Sequence, residues 1–244
     1  DYVAEGFGAV KMKVGLNYRN DIESLEAIRA AVGPTGDIMG GANQRYSRHL
    51  ALKVGRELDK YAVLFFEEPL PTDDVDGHAF LAERIDTRLA TGENMYTRWE
   101  FLPFIQKQAI HVIQGDASRT GGITEAKRIF ELAAAHHLYA APHTFSDVLT
   151  VASSLHLNAS SPNATLLELD RTYNPLMTDL VRNPLHVHDG VVELPTTPGL
   201  GVEIDWDFVE AHPYHGEHGI GAGARPAFGL AHETLPDRLV ETLR

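Results

Sequence analysis

Leu64-Phe65-Phe66-Glu67-Glu68-Pro69 ends an apolar run with two carboxylates and a proline. Residues 62–66 read as a strand, and Glu67-Glu68-Pro69 as its exit. In parallel α/β proteins the carboxyl ends of strands carry the ligand-binding groups. A carboxylate pair there is a candidate metal or acid/base position. On this stretch alone a solvated pair of loop acids is the other reading, and the segments on either side decide between them.

Upstream, Ala9 to Gly15 alternates as a strand does and sets Lys11 and Lys13 on one side, two residues apart, at its end. Neighbouring ammonium groups depress each other's proton affinity, one route to a lysine base near neutral pH. An exposed edge-strand pair is the alternative. Residues 20–32 carry Ile22, Leu25, Ile28 and Val32 at helical spacing until Gly33-Pro34 stops them. Residues 37–44 make a second strand with a polar end, Gly41-Ala42-Asn43-Gln44, and residues 47–59 a second helix. Tyr2 to Phe7 reads as a helix end running into Gly8.

Downstream the alternation continues. A helix near 76–85 leads to a fourth strand, 88–94, closing on Glu93. A helix near 97–107 leads to a fifth, 110–114, that runs into Asp116. Residues 125–136 form a helix with Thr124 as its cap. The strand 138–142 delivers His143, a helix follows over 148–159, and residues 166–170 form a seventh strand ending in acids, Glu168 among them. Seven strand-helix units with a chemically active residue after each strand fit a (β/α) barrel of the TIM type better than an open doubly wound sheet. The nucleotide-binding glycine fingerprints of the open sheet are absent as well.

Past residue 184 the alternation gives way to a hairpin over 185–194 turning at Asp189-Gly190, then an extended Pro/Gly-rich stretch to residue 205. We divide the chain into a barrel portion, 1–183, an extended segment, 184–212, and a tail, 213–244. With 43% hydrophobic residues the 244-residue chain can bury a large core. Its net charge of −13 disfavours nucleic-acid and anionic membrane partners. The absence of cysteine excludes disulfides, thiolate metal sites and a cysteine nucleophile. With no apolar run of membrane-spanning length and no signal-like start, a cytoplasmic protein is expected, and a homo-oligomer with it.

The strand ends together supply Lys11, Lys13, Asn43, Glu67, Glu93, Asp116, His143 and Glu168. Bases, carboxylates and a His-Asp pair describe proton abstraction beside a metal. In type, order and spacing these residues resemble the enolase superfamily, within it the mandelate racemase and muconate lactonizing enzyme group. The resemblance rests on Lys11-Met12-Lys13, Ala42-Asn43-Gln44, Glu67-Glu68-Pro69, Gly92-Glu93-Asn94, Asp116 with Gly121-Gly122, and His143. It covers roughly residues 5–205. Glu67 to Glu93 is 26 residues, Glu93 to Asp116 is 23 and Asp116 to His143 is 27.

The resemblance implies a (β/α)7β barrel with a separate capping domain, and roles by position. Lys13 would move the proton α to a carboxylate, with Lys11 assisting; His143, tuned by Asp116, would be the opposite acid/base; Glu67 and Glu93 would hold Mg²⁺. Glu168 and Asn43 would contact substrate, and Arg119 is either a substrate contact or a loop anchor. Glu68 reads as a supporting or surface acid. His136-His137 read as a helix end, and His186 and His188 as one strand face, rather than as ligands. An Asp116–His143 pair of purely structural meaning is the alternative to the dyad.

Two features depart from the family pattern. The aspartate expected two residues before Asn43 is Gly41, which removes one anionic ligand and weakens a hard-cation site; a water or Asn43 stands in, the site is disabled, or the sequence has been altered there. The capping domain and first barrel strand are expected to precede Lys11, so a fragment or a second chain supplying that part is expected. The implied activity is Mg²⁺-dependent dehydration of a sugar acid, with racemisation, lactone cycloisomerisation or a non-catalytic member as alternatives.

Overall fold

Strand and helix alternate along the computed structural model, which describes residues 2–213. The order is β1 (Ala9–Lys13), α1 (Tyr18–Val32), β2 (Asp37–Gly41), α2 (Arg48–Lys60), β3 (Phe65–Glu67), α3 (Val75–Ala82), β4 (Arg88–Thr91), α4 (Thr97–Gln106), β5 (Val112–Ile113), α5 (Ile123–Ala135), β6 (Tyr139–Ala140) and α6 (Val148–Ala159). After them come α7 (Pro175–Thr178), the hairpin β7 (Val187–His188) and β8 (Val191–Val192), and α8 (Trp206–Ala211). Two compact units form. One contains residues 8–91 and 106–111; the other contains 2–7, 92–105 and 112–213.

In the first unit β1 to β4 run parallel in chain order. Their register sets Lys13 beside Gly41, Gly41 beside Glu67, and Glu67 beside Ala90. Because side chains alternate along a strand, in-register residues share a face, so Lys13, Gly41 and Glu67 form one lateral row with Lys11 two residues below. Gly40, on the other face, lies under Leu58 of α2, and the core there holds Leu25, Ile38, Val54, Leu58, Phe66, Leu81 and Leu89.

The helices of this unit start on side-chain caps that absorb otherwise unpaired N–H groups. Asn17 accepts from Arg19 and Asn20, Ser47 from Leu50, and Asp74 from Gly77. Arg29 closes α1 onto its surroundings by donating to the carbonyls of Gly33, Gly36 and Tyr61.

The second unit carries β5 and β6, parallel, with Phe101, Phe104, Ile113, Ile129, Phe130 and Val151 in its core. The expected hairpin is present: Asp189 (φ 48°) and Gly190 (φ 70°) both take left-handed conformations, as a tight two-residue turn requires. Residues 2–7 end like a helix. Gly6 donates to Val3 and Phe7 to Tyr2, the paired closure of a Schellman motif, with Gly6 rather than Gly8 in the left-handed position. A side chain at Gly6 would strike the Asp189 backbone at 2.5 Å.

Three expectations differ from what forms. Residues 166–170 are not a strand; the chain runs beside β6 slightly earlier, in a single parallel bridge between Ala164 and Ala140 flanked by hydrogen bonds at Asn163 and Thr165. Thr124 does not cap α5: the helix begins at Ile123, and Gly122 (φ 89°) holds the cap position. The short helices α7 and α8 were not expected, although Asn174 and Asp205 cap them in the ordinary way. The tail assigned to 213–244 lies outside the described residues from 214 onward. No helix among the described residues is long and apolar enough to cross a membrane.

Candidate active site

The first unit's row of strand-end residues is an ion cluster. Lys11 Nζ donates to Glu67 Oε2 at 2.8 Å, and Lys13 Nζ lies 4.0 Å from Glu67 Oε1. Glu67 is fully buried, Lys11 nearly so, and Lys13 is more than half exposed. A buried carboxylate demands a counter-charge, and the register of β1 against β3 supplies one. Gly41 sits directly beneath: a Cβ there would meet Glu67 Oε1 at 2.6 Å and Lys13 Nζ at 3.6 Å.

Three non-glycine residues beside this row hold left-handed backbone, Asn43 (φ 45°), Gln44 (φ 64°) and Glu68 (φ 39°). Such conformations cost energy and persist where surrounding bonds over-determine them. Gln44 provides those bonds, donating from its backbone to Glu68 O at 2.7 Å and from its side chain to Glu68 Oε2 at 3.2 Å. Glu68 is fully buried, with Thr91 Oγ1 at 3.4 Å from its other oxygen, so the surface reading of Glu68 is replaced by a supporting one. Asn43 takes its position at the end of β2 from the same turn.

In the second unit His143 and Asp116 meet. His143 Nδ1 lies 2.8 Å from Asp116 Oδ2, with both side chains buried. Ser118 holds the other oxygen, Oδ1, through its backbone N–H at 2.7 Å and its hydroxyl at 2.6 Å. Burial alone would raise the Asp116 carboxyl, but the hydrogen bonds from His143 and Ser118 outweigh it and keep it below its ordinary value. An ionised Asp116 accepts a hydrogen bond from Nδ1–H and holds the proton on that nitrogen, which leaves Nε2 as the nitrogen that exchanges protons. Nε2 lies 3.7 Å from Glu93 Oε2, also buried.

Glu168 is half-buried beside Thr144, whose hydroxyl donates to the Glu168 carbonyl and whose N–H lies 3.4 Å from its carboxylate. Arg119 donates to Asn94 Oδ1 at 3.0 Å, a bond between the loops after β4 and β5. His136 ends α5, and His188 is exposed beside Asp189. Sequence reasoning missed Ser118, Thr144 and Gln44 as supports. The Asp116-Ala117-Ser118 spacing was the available signal, since a hydroxyl or N–H two residues on commonly closes onto an Asp carboxylate.

Donor chemistry at Glu67 and Glu93 suits a hard divalent cation, both being buried carboxylates. Gly41 contributes no donor where the family pattern has a carboxylate. Among the described residues no group of three or more His, Asp or Glu is arranged to hold a metal ion.

A family model described as "Enolase C-terminal domain-like" matches residues 1–208. The chain belongs to that family. Its fold class is accordingly the α/β barrel of the enolase superfamily, mandelate racemase group. Among curated family members it is 36% identical over 204 residues to the arabinonate dehydratase of Saccharolobus solfataricus, covering 83% of this chain and 54% of that protein. It is 37% identical over 197 residues to the L-talarate/galactarate dehydratase of Salmonella typhimurium, covering 80% and 47%. The chain therefore spans about half the length of the curated relatives it matches.

Two solved family structures superpose well. A Bordetella bronchiseptica RB50 protein complexed with 2-oxoglutarate/phosphate shares 49% identity at a TM-score of 0.86, covering 89% of this chain and 60% of that one. The 3,6-anhydro-D-galactonate cycloisomerase of Zobellia galactanivorans shares 34% at 0.82, covering 86% and 60%.

Proposed function

We propose that the protein containing this chain is an enzyme that removes the proton α to a carboxylate of a sugar acid and eliminates water from the adjacent carbon. The observation that carries this reading is the buried His143–Asp116 hydrogen bond at 2.8 Å, which makes Nε2 of His143 a proton donor and acceptor of defined tautomer. Lys13 is the partner base: its deprotonated amine takes the α-proton, and the C–H electron pair moves into the carboxylate as an enediolate. Those electrons return to expel the β-hydroxyl, which leaves as water with a proton from His143 Nε2. The enol that remains tautomerises to a 2-keto-3-deoxy acid.

Lys11 presents ammonium charge for the substrate carboxylate, and Lys13 adds its own once it has taken the α-proton. Glu168 and Asn43 are assigned to substrate contact, and Arg119 to holding the loop through Asn94. Glu67 and Glu93 are the carboxylates that would hold Mg²⁺. When bound, the cation supplies positive charge against the electron density that gathers on the substrate carboxylate.

The family's dehydratases favour elimination as the outcome. Cycloisomerisation, which begins with a related proton transfer, is the second reading, because a D-galactarolactone cycloisomerase of Agrobacterium fabrum is 31% identical over 212 residues. A panel of sugar acids and lactones in deuterated buffer with saturating Mg²⁺, followed by proton NMR, separates them. Loss of the α-proton signal with formation of a 2-keto-3-deoxy acid is expected. Ring opening without loss of water would select the second reading. No exchange with any member would overturn both and leave a non-catalytic family member. With an active substrate, Lys13→Ala or His143→Asn should lower the rate by about 10²- to 10⁴-fold.

A further inference from the structure

The Lys13–Gly41–Glu67 row raises a question of charge. Glu67 is buried completely, accepts from Lys11 at 2.8 Å, and keeps its second oxygen 4.0 Å from Lys13. That second oxygen occupies the space a side chain at position 41 would take, since a Cβ there would come within 2.6 Å of it. The strand register brings these groups together, because Lys13, Gly41 and Glu67 are direct lateral neighbours. The Glu67 carboxylate therefore faces the ammonium groups of both Lys11 and Lys13.

We propose that in this chain Lys11, with Lys13 beside it, is a built-in counter-cation for Glu67, whose other oxygen lies over Gly41, and that a divalent metal binds Glu67 only in competition with it. The proposal rests on the assignment of Glu67 as a metal carboxylate. Like charges a few ångströms apart in a poorly solvated site repel strongly, so a cation arriving at Glu67 meets the lysines as well as the carboxylate. A carboxylate at position 41 would change this in two ways: it would add a negative ligand, and it would displace the Glu67 oxygen that lies over Gly41. Metal occupancy at Glu67 is therefore set by the lysines as much as by the carboxylates, and an anionic substrate that draws the ammonium groups to itself would favour the metal.

The test measures binding without turnover. Mn²⁺ affinity by electron paramagnetic resonance and Mg²⁺ affinity by calorimetry are compared for the wild-type chain, Lys11→Met, Lys13→Met and Gly41→Asp, with Glu67→Gln as the control. Lys11→Met should bind about tenfold more tightly than wild type, and Lys13→Met more tightly by a smaller factor, as its greater distance and exposure require. Glu67→Gln should bind most weakly. Gly41→Asp should gain affinity as well.

Unchanged or weaker binding in Lys11→Met overturns the proposal. Should Lys11→Met fold only with the cation present, that dependence supports it, because the metal has then replaced the lost ammonium. Should it fold under neither condition, Lys13→Met decides, and unchanged or weaker binding there overturns the proposal. The catalytic reading stands or falls separately on proton exchange at the substrate α-carbon.

Discussion

Gly41 shows how one residue can be constrained by the neighbours it lacks room for. Its backbone is not in the left-handed region, so alanine meets no conformational penalty there. The cost arises from the Glu67 oxygen 2.6 Å from the new methyl, on a buried carboxylate already held by Lys11. Gly41→Ala should lower stability by about 1–3 kcal/mol in denaturant titration; a change inside a few tenths would show that Glu67 moves freely. Ser118 makes the second residue-scale prediction. Ser118→Ala removes a 2.6 Å hydroxyl bond to ionised Asp116 and should cost about 1–2 kcal/mol, with Ser118→Thr restoring most of it. Equal stability of all three would remove Ser118 from the dyad's support. Lys11, Lys13, Glu67, Glu93, Asp116 and His143 were legible in the sequence because each sits at a strand end in a repeating pattern. The Lys11–Glu67 pairing was not, because it depends on the register between strands more than fifty residues apart.

At the scale of elements, α3 is held at its N-terminus by the side chain of Asp74. Asp74 accepts from Gly77 and from Arg48, and the Arg48 hydrogen bond keeps its carboxyl below the ordinary value. Asp74→Ala should cost about 1–2 kcal/mol, read as a shift in denaturation midpoint. Asp74 therefore contributes stability in full above the ordinary aspartate pKa, and the contribution is lost as pH falls through its lowered folded value. His78 on the same helix is fully buried, and burial lowers its pKa from the ordinary 6.5. The unfolded state then binds the proton first, so stability is full above pH 6.5 and declines below it. Between pH 7.5 and 5.5 wild type should lose more stability than His78→Gln, the difference growing by at most about 1.4 kcal/mol per pH unit. Parallel loss in both would contradict a buried neutral His78. Helix α6 appears over the expected residues because its apolar run is bounded by Asp147 and Ser160. The strand expected at 166–170 failed because Leu166-Leu167 followed by Glu168-Leu169-Asp170 fits an extended loop as well as a ladder.

For the molecule as a whole, 34 acidic against 21 basic residues leave a net charge of −13. Self-repulsion of that size destabilises the compact state at low ionic strength. The melting temperature should rise between about 10 mM and about 150 mM monovalent salt, as the Debye length falls from about 30 to about 8 Å; a fall would show that favourable surface pairs dominate. The sequence by itself determined the strand-helix alternation, the hairpin turn at Asp189-Gly190 and the identity of the strand-end residues, because these follow from local periodicity, turn chemistry and the position of polar groups after apolar runs. Only the tertiary structure decided that Glu67 is neutralised from β1 over a glycine of β2, and that Ser118 completes the Asp116–His143 pair. Which side chain satisfies a buried charge depends on register and on space left by a neighbour, and neither is written in any local stretch of the chain.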